Sequence, residues 1–80
     1  MIYLIEAQYI KDYKIKLRFN DDKEGIVDLG EVMLNDHRKD FSESLDLNRF
    51  KEFNLEYNTL VWKNGLDLAP EFLWERIKSI

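Results

Sequence analysis

From Tyr13 to Phe19 the chain alternates strictly. Tyr13, Ile15, Leu17 and Phe19 are apolar, and Lys14, Lys16 and Arg18 between them are basic. A period of two sets one face of a strand toward a core and the other toward water. Residues 2–9 predict an earlier strand, with Tyr3, Ile5, Ala7 and Tyr9 on one face and Ile2, Leu4, Glu6 and Gln8 on the other. Lys11-Asp12 suits the tight turn between the two. The polar run Asn20 to Gly25 reads as a hairpin connection into a third short strand, Gly25 to Leu29, which Gly30 ends.

The middle of the chain is more polar. Glu31 to Leu34 predicts a helical turn, and Asn35 to Ser44 a surface loop. Apolar residues at 45, 47, 50 and 53 predict a short helix that Asp46 can cap. Phe53, Leu55 and Tyr57 then alternate with Asn54 and Glu56 as a fourth strand, Asn58 turns the chain, and Thr59 to Trp62 forms a fifth. Lys63-Asn64-Gly65 is a strong turn signal, because Asn and Gly tolerate positive φ. Pro70 fits the first turn of a last helix, about Pro70 to Ser79, on which Leu73, Ile77 and Ile80 share a face bordered by Phe72 and Trp74. The expected class is α+β: a small, mostly antiparallel sheet of about five short strands packed against a C-terminal helix, with a short helix in the middle.

Composition narrows this picture. The sequence has 80 residues, which is one domain, 1–80, with a core too small for a deep internal cleft. At 45% hydrophobic residues it is expected to fold rather than remain disordered. The formal net charge of −4 argues against a dedicated nucleic-acid or anionic-membrane binder. The absence of cysteine removes disulfides, thiolate catalysis and cysteine zinc sites, and fits a reducing cytoplasm. Met1 to Glu6 lacks the basic start of a secretory signal, and no run approaches a membrane helix in length.

Candidate chemistry is sparse. Asn20, Asp22, Glu24, Asp28 and Glu31, with Gly25, echo the spacing of a calcium loop. Such a loop needs flanking helices, whereas Lys14 to Phe19 has strand periodicity, so a hairpin turn is expected. Lys14, Lys16 and Arg18 form a basic stripe that is the candidate nucleic-acid face. The competing reading is a solvated face paired with Glu6, Glu24 or Glu56. His37, the one histidine, has only Ser42 and Ser44 nearby and no nucleophile setting. Glu71 and Glu75 lie with Lys78 on the polar side of the last helix. No catalytic residue, metal site or cofactor is expected from these patterns.

The stretch Trp62-Lys-Asn64-Gly65-Leu-Asp67-Leu-Ala-Pro70-Glu71-Phe-Leu-Trp74 has the look of a family hallmark. So does Tyr13-x-x-x-Leu17-x-Phe19-x-Asp-Asp followed by Val27-Asp28-Leu29. Together they resemble the small bacterial and archaeal proteins grouped as domain of unknown function 2442, over nearly the whole chain. The resemblance implies a small α+β domain with no catalytic residues to carry over. Some members look like one half of a two-gene pair, in the style of toxin–antitoxin modules. Others carry an added helix-turn-helix domain, which does not follow Ile80 in this sequence.

Physically, the hallmark reads as a strand-to-helix corner in which Trp62 is buried and Asp67 caps the last helix or anchors the turn. The functional alternative makes Asn64, Asp67 and Glu71 an exposed patch that binds a partner. The sequence therefore points first to a non-enzymatic interaction or regulatory module whose partner is another small protein, with a homodimer also open. The alternative is a nucleic-acid accessory factor using Lys14, Lys16 and Arg18, and the third reading is a small metal-dependent hydrolase assembled by oligomerisation.

Overall fold

The structure is a computed structural model that describes residues 1–30, 32, 46–63 and 65–78. The expected turn at Glu31 to Leu34 (Val32 apart) and the loop Asn35 to Ser44, with His37, lie outside the described residues. Strands β1 (Leu4–Lys11), β2 (Lys14–Phe19) and β3 (Glu24–Asp28) form an antiparallel sheet in the order β1-β2-β3. The alternation in β2 is realised as expected. Ile15, Leu17 and Phe19 are fully buried, while Lys14, Lys16 and Arg18 stand half-buried on the outer face.

β1 departs from simple alternation. Leu4 is buried, and Ile5, which alternation sets on the same face as Ala7 and Tyr9, is 46% exposed. The cause is a break in register, because Leu4 lies opposite Phe19 and Glu6 opposite Arg18. Ile5 is thus an extra residue, and such a bulge resets which residues face the core. Beyond it Ala7 and Tyr9 do face inward, opposite Leu17 and Ile15. A second shift falls between Tyr9 and Lys11. The turn into β2 is Asp12-Tyr13 rather than Lys11-Asp12, with Asp12 at φ 48°, a conformation Asp tolerates.

A single five-stranded sheet does not form. Strands β4 (Asn54–Glu56), β5 (Thr59–Val61) and β6 (Asp67–Leu68) make a second three-stranded antiparallel sheet, in the order β4-β5-β6. The two sheets stay separate because β1 meets the β4–β5 hairpin through one backbone bond, Leu4 N–H to the Asn58 carbonyl at 2.9 Å. That hairpin turns on two residues at left-handed φ, Tyr57 at 53° and Asn58 at 63°, which suits the twist of the flanking strands. The Thr59 hydroxyl donates to the Leu68 carbonyl and ties β6 to β5. After β5, Gly65 at φ 91° closes a turn whose Trp62 N–H donates to the Leu66 carbonyl at 2.8 Å.

The helices are shorter than expected. α1 covers Leu47–Phe50, capped as predicted by Asp46, whose carboxylate accepts from Asn48 N–H at 3.0 Å. α2 covers Pro70–Arg76, not Pro70 to Ser79, and Ile77 is already extended at ψ 146°. The chain leaves the helix there because Lys78 pairs with Ile26 of β3 through bonds of 2.9 and 3.0 Å. One apolar cluster joins both sheets and both helices, with Phe19, Phe50, Leu60 and Leu73 fully buried in it. Every described element except β4, whose three residues are exposed, therefore contributes to a single core.

Candidate interaction surface

The Trp62 to Trp74 corner is built on Trp62, which is 3% exposed. Its indole N–H donates to the Phe50 carbonyl at 2.9 Å, one of the last carbonyls of α1. Its ring lies 5.9 Å from that of Phe50 and 6.3 Å from that of Phe53. Phe50 in turn meets the edge of Tyr13 at 4.9 Å. Trp62 thus pins α1 to the second sheet, and the burial expected for it is present. Asp67 does not cap α2. Pro70 occupies the first helical turn, so the N-cap is Ala69, which has no side-chain acceptor. Asp67 instead pairs with Val61 within the sheet and is exposed. Glu71 is also exposed, in the first turn of α2, while Asn64 lies outside the described residues.

The basic stripe is interleaved with acids. Lys16 lies 3.0 Å from the Glu24 carboxylate, the Arg18 guanidinium lies 2.9 Å from that of Glu6, and Lys14 is paired across the sheet with Asp28. A shallow depression on this face is lined by Glu6, Gln8, Lys16, Leu17, Arg18 and Glu24. No aromatic ring is among them, so neither net positive potential nor a stacking surface is offered to nucleic acid there.

The calcium-like spacing falls on the β2–β3 hairpin. Its oxygens serve the backbone: Asn20 accepts from Tyr3 N–H at 2.9 Å, and Asp28 accepts from Gly30 N–H at 3.0 Å. Among the described residues no three acidic or histidine side chains gather as a metal would require. The same hairpin grips α2. Asp21 accepts from the Trp74 indole N–H at 2.9 Å. The Lys23 ammonium donates to the Trp74 carbonyl at 2.9 Å and lies 3.7 Å from its ring centroid. The Lys23 N–H and then the Trp74 indole hold the Asp21 carboxyl below the usual carboxylate range.

Sequence reasoning missed the apolar surface around β1. Ile5 and Ile10 at 46% and 41%, Tyr3, Leu55 and, at 90%, Tyr57 are exposed. The only hint was the unbroken run Ile2 to Ile5, which does not alternate. Tyr57 is doubly unusual, as a bulky residue at left-handed φ and on the surface. Beside it, among the described residues, β1 is an edge strand bordered by β2 alone.

The described residues form a small α+β domain with a mixed-charge sheet face and an apolar sheet edge. Among the described residues no helix is long and apolar enough to cross a membrane. The chain belongs to the family described as protein of unknown function DUF2442, which matches residues 4–79. No curated protein and no solved structure gives a significant match.

Proposed function

We propose that this domain is a non-enzymatic protein-interaction or regulatory module acting in the cytoplasm, an antitoxin-like partner of another small protein. The observation that carries the reading is Tyr57, a 90% exposed aromatic ring held at left-handed φ beside the open edge of β1. A bulky residue in that conformation costs about 1–2 kcal/mol relative to one at ordinary φ. Such strain tends to persist where function needs it. The exposed carboxylates Asp67 and Glu71 form a second contact region at the strand-to-helix corner. The test is affinity capture from native cells with the wild type, Tyr57→Gly, and Asp67→Lys with Glu71→Lys. Tyr57→Gly relieves the strain, so its melting temperature should hold or rise. Loss of a specifically captured partner in that stable variant supports the reading. Equal capture by all three proteins, or no specific partner at all, defeats it.

A further inference from the structure

The first sheet has two edges, and they are treated differently. The β3 edge is covered where Lys78 pairs with Ile26. Among the described residues the β1 edge is bonded once, at Leu4, to Asn58. From Ile5 to Lys11 no strand lies along it among the described residues.

The direction of the free backbone groups follows from the ladder. Phe19 N–H donates to the Lys23 carbonyl and Tyr13 accepts from Leu29 N–H, both on the β3 side. Odd-numbered residues of β2 therefore turn their backbone toward β3, and even-numbered ones toward β1. Ala7 and Tyr9, opposite Leu17 and Ile15, accordingly direct N–H and C=O away from β2, into the open edge.

We infer that the occupant of this edge is a second copy of the chain, paired β1 to β1 about a twofold axis at Gln8. The open stretch is bounded by the Asn58 contact at one end and the Asp12-Tyr13 turn at the other, and its midpoint is Gln8. An axis there sets Ala7 of each copy opposite Tyr9 of the other, so the free donors and acceptors meet in two hydrogen-bonded pairs. The same register lays the Ile5-Glu6 step of one copy against the Ile10-Lys11 step of the other. Because Ile5 and Ile10 are the extra residues at the two register breaks, Glu6 of one copy comes opposite Lys11 of the other, and the exposed isoleucines flank that pair. The two sheets become one continuous antiparallel sheet, which removes an edge otherwise prone to unspecific pairing. The dimer rests on the interaction-module reading and names what lies on β1.

The sequence has no cysteine, which allows a register-specific test. Gln8 meets its own symmetry mate as a non-hydrogen-bonded pair, with Cβ atoms about 4.5–5.5 Å apart. That is near disulfide range. Gln8→Cys should cross-link to a reducible dimer on mild oxidation, and Lys16→Cys, on the strand behind, should not. Sedimentation of the wild type should show a concentration-dependent dimer. Lys11→Glu, which makes both symmetry-related charge contacts repulsive, should weaken it roughly tenfold. A wild type that stays monomeric at millimolar concentration overturns the inference. So does a dimer that Lys11→Glu leaves untouched and Gln8→Cys does not trap. If a purified monomer still captures another protein through Tyr57, the dimer fails while the interaction reading stands. If neither dimer nor capture is found, both fail.

Discussion

Gly25 is the residue on which the C-terminal segment depends. It is buried in β3, and a Cβ placed on it would stand 2.3 Å from the Lys78 carbonyl oxygen and 2.8 Å from the Lys78 carbonyl carbon. Those are backbone atoms, so Gly25→Ala has no flexible side chain to push aside; the segment after α2 must move. Movement breaks the two Ile26–Lys78 backbone bonds, each contributing about 0.5–1.5 kcal/mol. It also draws on Ile77, now 8% exposed, whose full burial is worth about 1.5–3 kcal/mol. The gain from replacing a strand glycine offsets about 0.5–1 kcal/mol of this. The expected net loss is about 1.5–5.5 kcal/mol, and each kcal/mol lowers Tm by about 4–8 °C in a domain of this size. Thermal and urea melts give the magnitude, and hydrogen exchange gives the location. The Ile26 and Lys78 amides should lose protection before the β1–β2 ladder does. Unchanged stability with both amides still protected would refute the reasoning, since it would mean that the segment does not lie over Gly25.

The remaining expectations concern the corner and the hairpin. Trp62→Ala should cost about 3–5 kcal/mol, a large share of the stability of so small a domain, and urea denaturation followed by far-UV circular dichroism measures it. Asp67→Ala should change stability by less than about 0.5 kcal/mol, while Ala69→Ser should add about 0.5–2 kcal/mol by supplying the missing cap of α2; paired melts decide both. Because the folded pKa of Asp21 lies below the ordinary value of 3.8, its contribution is complete above that pH and is lost as pH falls through the folded value. Asp21→Asn should therefore flatten part of the acid limb of a stability–pH curve and leave its slope near neutral pH unchanged. In a gel-shift assay at physiological salt no specific nucleic-acid complex should form, and Lys14→Glu with Lys16→Glu should make no difference.

Where one local rule acts alone, the sequence was readable. The alternation of β2, the Asp46 cap and the burial of Trp62 each follow from a side chain and its immediate neighbours. The failures lie where distant residues intervene. The faces of β1 shift because one extra residue, Ile5, enters the ladder, and periodicity carries no mark of where a register breaks. α2 ends early because Ile26, far back in the sequence, bonds Lys78. Of the roles open to Asp67, the helix cap fails because Pro70 places the cap at Ala69. Asp67 and Glu71 are both exposed, whereas the apolar flank of β1 was hidden by the bulge that creates it.

The two departures from local rules on this surface share one location. A strand of alternating residues would have buried Ile5, and a two-residue hairpin turn would ordinarily take Asn or Gly where Tyr57 stands. Each exposes an apolar side chain, and the Leu4–Asn58 bond brings their backbones together. Neither departure contributes to the core, because Ile5 and Tyr57 both lie on the surface. Sequences that specify one fold tend to break local rules where function intervenes. The opposite edge of the same sheet is covered by the chain's own Lys78, so the fold has the means to close an edge. That β1 is bordered among the described residues by β2 alone, and exposes Ile5 and Ile10 along its length, is the physical argument behind the proposed docking there.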